Sequence, residues 1–291
     1  LEYAAAVTER LRYRALLHAL WSLTGPVEGE IPPTERDVRY RSSHGTEARG
    51  IAPRYDVFLP KAPSGHSAVL VHGGGFVIGS KSMKPMRVLA SRLVAANIAV
   101  CSIDYRMLFR GGGLNEALKD TTAALVHWSE RASGYGLDPA RISAIGLSAG
   151  ATLTLLAAAE MDTAQRGLHR VVSCFGLYEL DHLSGPLAAA LPRLLFGSSD
   201  RRLWARRSPR GAAQTQAPTL LLHGTADGLV PHGQAERLAA HRRASGLPTR
   251  LVIYPDAPHG FFNQDTEVRT KATEAIVTHL LEPNAEACAD R

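Results

Sequence analysis

Six apolar runs rich in β-branched residues recur along this chain, each followed by a helical pattern, and few folds accommodate that alternation. The runs lie at 67–71 (SAVLV), 98–103 (IAVCSI), 141–145 (RISAI), 170–175 (RVVSCF), 218–222 (PTLLL) and 250–253 (RLVI). Helical periodicity covers about 84–96, 115–133, 149–165, 186–195, 231–245 and 264–281. Strands that are apolar throughout, rather than on alternate residues, are covered on both faces, which predicts an α/β fold with a mostly parallel sheet between helical layers. Two earlier extended segments, 35–42 and 53–59, read as an antiparallel entry to that sheet. No repeat or linker interrupts the 291 residues, so one domain over 1–291 is expected. Two parts of it read as a small helical cap: an N-terminal segment, 1–34, and an insertion at 177–216.

That insertion breaks the rhythm. It contains Gly185-Pro186, Pro192 and Ser208-Pro209, with arginines at 201, 202, 206, 207 and 210. A connection so long is usually functional, and in an α/β sheet ligands bind beyond the carboxyl ends of the strands. The arginine cluster reads as a solvated face.

Two glycine-rich stretches carry the chemistry. Gly146-Leu147-Ser148-Ala149-Gly150 fits G-x-S-x-G between an apolar run and a helical pattern, the strand–turn–helix setting in which such a serine is held out as a nucleophile. The plainer reading is a serine N-cap flanked by packing glycines. A nucleophilic serine needs a base oriented by an acid. Asp227, after run 218–222, and His259, after run 250–253, follow in the chain order this scaffold uses. Glu179 or Asp181 is a second choice for the acid. Asp256, His72 and His223 read as turn-forming or loop-shaping residues, and His18, His127 and His241 as surface or packing residues.

The second stretch is His72-Gly73-Gly74-Gly75 at the end of run 67–71. Acyl transfer builds an oxyanion that needs backbone N–H groups with no side chain in the way, and glycine leaves those groups bare. Neither a dinucleotide-binding nor a Walker pattern follows, which argues against a phosphate cradle.

Together these stretches, with HGTADGLVP (223–231) and PHGF (258–261), resemble the α/β-hydrolase superfamily, and more narrowly the HGGG carboxylesterases related to the hormone-sensitive lipase group. The resemblance covers about 35–282. It implies an α/β-hydrolase fold and a serine carboxylesterase with Ser148, Asp227 and His259 as the triad and the N–H groups of Gly74, Gly75 and Ala149 as the oxyanion hole. It also implies that Asp104-Tyr105-Arg106 supports the site. Leu147, Ala151 and the Met107-Leu108-Phe109-Arg110 stretch depart from the lipase-group pattern. Phe76 and Val77 beside the glycines, and Tyr178 and Trp204 in the insertion, are expected to contact substrate.

Composition narrows the remaining classes. Charge is 33 basic against 27 acidic residues, net +6, with no nucleic-acid-binding signature. Cys101, Cys174 and Cys288 form neither a disulfide framework nor a metal cluster, which favours a reducing, cytoplasmic setting. No run approaches the ~18 apolar residues of a membrane span, and the first 23 residues read as an amphipathic helix rather than a signal peptide. No cofactor and no metal are expected; the partner is a small ester, and a homodimer is allowed. An arylformamidase-like amide hydrolase and a deacetylase of sugars or natural products use the same machinery. A non-catalytic receptor on the same fold is the alternative of another class.

Overall fold

The computed structural model describes residues 23–40, 53–183 and 190–283. Eight strands form one sheet: β1 (Glu35–Arg39), β2 (Arg54–Phe58), β3 (Ser67–Val71), β4 (Ala99–Ile103), β5 (Ile142–Leu147), β6 (Val171–Cys174), β7 (Thr219–Gly224) and β8 (Thr249–Tyr254). Their order is β1-β2-β4-β3-β5-β6-β7-β8. β1 pairs antiparallel with β2, and β2 with β4; all other pairs are parallel. The expected antiparallel entry and parallel body are both present.

Helices α1 (Lys84–Ala95), α2 (Leu114–Arg131), α3 (Ala149–Thr163), α4 (Ala190–Phe196), α5 (Arg201–Arg207), α6 (Gly233–Ala244) and α7 (Glu267–Leu281), with four short 3₁₀ turns, complete the described elements. Because side chains alternate along a strand, neighbours in β3 serve different layers. Val69 and Val71 pack with Trp128 of α2, Leu153 of α3 and Leu238 of α6. Ala68 and Leu70 pack on the other face with Leu89 and Leu93 of α1 and Ile276 of α7. The inner strands β3 to β7 are buried from both sides, which is why no polar alternation marks them in sequence.

The insertion after β6 carries α4 and α5, and residues 184–189 of it lie outside the described residues. α5 occupies part of the arginine cluster. Asp200 caps it by accepting from the Arg202 N–H at 2.9 Å, and Trp204 turns inward to donate to the Ser198 carbonyl. Arg201, Arg202, Arg206 and Arg207 are exposed, as expected of a solvated face. Of the expected N-terminal cap segment, 1–22 lies outside the described residues, as do His18 and Cys288; residues 25–34 are turns and irregular chain rather than helix. Among the described residues no helix is long and apolar enough to cross a membrane.

Candidate active site

The chain turns back on itself between β3 and β5. β4 lies on one side of β3 and β5 on the other, so the loop after β3 and the turn after β5 face a common crevice beyond the strand ends. Ser148 sits on that turn at φ 52, ψ −117, outside the regions a serine ordinarily occupies. Two contacts hold it there. A Cβ on Gly146 would lie 2.3 Å from the Gly150 carbonyl oxygen, and one on Gly150 would lie 2.2 Å from that of Val71. Helix α3 therefore starts directly against β3, a position only glycine allows. The Ser148 N–H donates to the Cys174 carbonyl at 2.9 Å, which ties the turn to β6.

Asp227 and His259 come from the loops after β7 and β8, and both reach this point. Ser148 Oγ lies 2.9 Å from His259 Nε2. His259 Nδ1 lies 2.7 Å from Asp227 Oδ2. Since the carboxylate can only accept, Nδ1 carries the proton and Nε2 accepts from the serine hydroxyl. Asp227 Oδ1 accepts from the N–H groups of Leu229 and Val230 at 2.9 and 2.8 Å. Burial opposes its charge, but hydrogen bonds from His223, His259 and the Val230 N–H outweigh burial and hold it far below the usual carboxylate range. The edge of Phe175 meets the His259 ring, with centroids 5.0 Å apart.

The glycine loop lies opposite. Gly74 has φ +113, and a Cβ there would fall 1.9 Å from the Ile78 carbonyl oxygen. Its own carbonyl accepts from the Val77 and Ile78 N–H groups at 3.1 Å, curling the loop into a tight turn. Among the described residues no hydrogen bond engages the N–H groups of Gly74, Gly75 or Ala149. His72 supports the loop from beneath. Its Nδ1–H donates to the Gly73 carbonyl at 2.7 Å, and burial pushes its pKa down to about 4 despite that bond. Its ring stacks on Tyr105, whose hydroxyl donates to the His72 carbonyl. Asp104 accepts from the Lys81 N–H, and Arg106 grips Asp120 through two nitrogens. The Asp-Tyr-Arg stretch thus braces the loop from behind.

A cavity of about 470 Å³ opens over Ser148 and His259. Leu23, Ile78, Met83, Leu177, Leu183, Leu191 and Leu229 supply much of its wall, and Asn263 is the amide side chain among them. The four residues expected to contact substrate are not in that wall. Phe76 is buried with Met107 and Leu108 in the core. Val77 is exposed and does not line the cavity, whereas Ile78 does. Tyr178 is fully buried, with its hydroxyl 2.9 Å from Ser173 Oγ. Trp204 is held inside the insertion by its bond to Ser198. Phe76, Tyr178 and Trp204 fill the interior behind the site, while Ile78 and Leu177 face the opening.

The rival acids are placed elsewhere. Glu179 is gripped by Arg237 and Arg210, and these guanidiniums overcome burial to hold its pKa below the usual value. Arg210 is thus the one arginine of its cluster that reads a carboxylate, a departure from the expected solvated face. Asp181 pairs with His182 at 2.9 Å. Asp256 sits in an exposed turn at φ 55. A larger groove of about 800 Å³, beside Arg170 and His279, lies at the opposite ends of the strands and touches none of these residues.

An eight-stranded, mostly parallel sheet with a serine on a strained strand–helix turn and a histidine and aspartate from the last two strand-end loops is an α/β-hydrolase. Within that superfamily the chain belongs to the BD-FAE family, whose model matches residues 55–241. It is 28% identical over 260 residues to a probable isoprenylcysteine alpha-carbonyl methylesterase of Oryza sativa subsp. japonica, covering 80% of this chain and 62% of that protein. The chain spans about three-fifths of the length of the curated relatives it matches. Among solved structures it is similar to a truncated carbohydrate esterase from gut microbiota, with TM-score 0.73, 22% identity, and coverage of 89% of this chain and 100% of that one. It is also similar to the butyrate-bound Est2 esterase of Thermogutta terrifontis, with TM-score 0.66, 22% identity, and coverage of 85% and 92%. These structural likenesses carry the fold.

Proposed function

We propose that this protein is a serine carboxylesterase working through an acyl-enzyme, on a single domain. The observation that supports it most is the unbroken series from Ser148 Oγ through His259 to Asp227 beside unengaged backbone N–H groups. Ser148 attacks the ester carbonyl while His259 Nε2 takes its proton. The carbonyl oxygen, now negative, is held by the N–H groups of Gly74, Gly75 and Ala149. His259 then gives the proton to the leaving alcohol, and Asp227 stabilises the imidazolium between the two transfers. Water enters, His259 deprotonates it, and the acid leaves. The rice relative and both structural neighbours are named as esterases, which agrees with this chemistry. No step in it uses a metal.

The cavity wall supports a neutral, apolar acyl group of short to medium length. Its described lining holds no arginine, lysine or carboxylate side chain, so an anionic ester has nothing to pair with. Each methylene buried contributes about 0.8 kcal/mol, roughly fourfold in kcat/KM. A p-nitrophenyl ester series from acetate to palmitate should therefore rise by such steps and then fall sharply once the wall is full. Efficient palmitate turnover, or a flat profile, would contradict this. Parallel assays on acetylated sugars and N-formyl anilides separate the deacetylase and amide-hydrolase readings, both of which expect their own substrate to outrun every simple ester.

A further inference from the structure

The loop after β7 contains a second histidine that the mechanism above leaves unused. His223 is fully buried, and its Nε2 lies 3.0 Å from Asp227 Oδ2, the same oxygen that receives His259. It also lies 2.9 Å from the Val230 carbonyl. Both neighbours accept, so Nε2 carries the proton and is shared between them. Its Nδ1 is buried with no hydrogen-bond partner among the described residues. An imidazole kept in the interior with one nitrogen unsatisfied carries a desolvation cost. Pinning the loop to Val230 alone would not require it.

We infer, on the reading of Asp227 as the acid of the triad, that His223 is a positioning residue for that acid. The carboxylate has about four acceptor sites. Leu229 and Val230 fill those of Oδ1, and His259 and His223 fill those of Oδ2. With all four engaged, the carboxylate cannot rotate away from His259, and its charge on Oδ2 is divided between two donors. Loss of His223 frees one site, lets the carboxylate tilt, and turns more of its charge onto His259. The imidazolium is then held more firmly, and more alkaline conditions are needed to return the base to its neutral, working form. The titratable groups acting on Asp227 from packed elements are His223 and His259, with the Tyr178 hydroxyl behind them. Among the described residues, Ser148 also hydrogen-bonds His259 and the Phe175 ring packs against it.

The test compares His223→Leu, of similar bulk without a donor, with His223→Gln, whose amide N–H reaches about as far as Nε2. Both are measured beside wild type and Ser148→Ala on p-nitrophenyl butyrate across pH, with melting curves to establish folding. For His223→Leu, kcat should fall about tenfold with KM little changed, the scale of one hydrogen bond to a charged group. The acidic limb of its kcat/KM profile should move up by roughly half a pH unit. His223→Gln should restore kcat to within about threefold and return the limb, since it restores that donor. Should His223→Leu fail to fold, His223→Asn takes its place, because its shorter amide stops short of Asp227. Equal losses in the donor and non-donor variants with an unmoved limb would make His223 a loop pin only and overturn the inference, as would wild-type kinetics in both. Wild-type hydrolysis that Ser148→Ala retains would instead overturn the triad reading itself, and this inference with it.

Discussion

Ser148→Ala should fold as the wild type does and lose on the order of 10⁴- to 10⁶-fold in kcat. Removing Oγ adds no volume to the turn. It deletes a group whose only described partner is His259 Nε2, and alanine fits the same backbone dihedrals no worse than serine does. What survives is the pull of the backbone N–H groups and the cavity on a substrate attacked by water, a residual of about 10³–10⁴ over the uncatalysed rate. The measurement is single-turnover hydrolysis of a p-nitrophenyl ester, with a melting curve to establish the fold. Turnover near the wild-type rate would leave the account without a nucleophile.

Asp227→Asn should lower kcat by about 10⁴ with little change in KM. An amide in place of the carboxylate presents either an oxygen or an N–H to His259. Where the N–H faces Nδ1, the imidazole adopts the other tautomer and its Nε2 proton blocks the serine. Asp227 also holds the ends of its own loop through Leu229 and Val230, so this variant should lose stability as well as activity. The sign follows from the direction of its shift: hydrogen bonding overcomes burial and lowers the carboxyl pKa on folding. That contribution is present at neutral pH and is lost only as the pH drops below the ordinary carboxylate range. Melting temperatures of wild type and variant should therefore converge in acid and separate toward neutrality. Glu179→Gln, by contrast, should disturb the insertion that Arg210 and Arg237 anchor and leave the pH profile of hydrolysis in place.

Much of this site is legible in sequence because its constraints are local. Gly146 and Gly150 are set by the closeness of one helix to one strand, and Gly74 by a turn that closes on Ile78 within four residues. Such demands write themselves as fixed residue types at short spacing. The inner strands are equally plain, since burial on both faces leaves uninterrupted apolar runs, and β3 matches its expected span residue for residue. Helix α5 is not legible. Seven residues with Leu203 and Trp204 adjacent carry no periodicity, and the arginines hide a helix whose clearest signal is the Asp200 cap.

The cavity wall departs from the residues expected from sequence, for a related reason. Which of two neighbours faces a cavity depends on how a loop is turned, and aromatic size is no guide to it. Tyr178 is drawn inward by Ser173 and by the side chain of Gln234 on its N–H, while Leu177 faces the opening. The hydrogen-bonding capacity of Ser173 and Gln234 was visible in the chain, but their proximity to Tyr178 was not. His223 was legible as a loop-shaping residue, yet its sharing of Asp227 Oδ2 with His259 appears only in three dimensions.

One serine, Ser148, and no other group should form the covalent intermediate. Treatment with a fluorophosphonate probe, followed by digestion and mass spectrometry, reads this directly. The label should sit on Ser148 alone, activity should fall in step with labelling, and Asp227→Asn should slow the reaction. An active protein that stays unlabelled, or one that carries the probe on another residue while Ser148 remains free, would contradict the account.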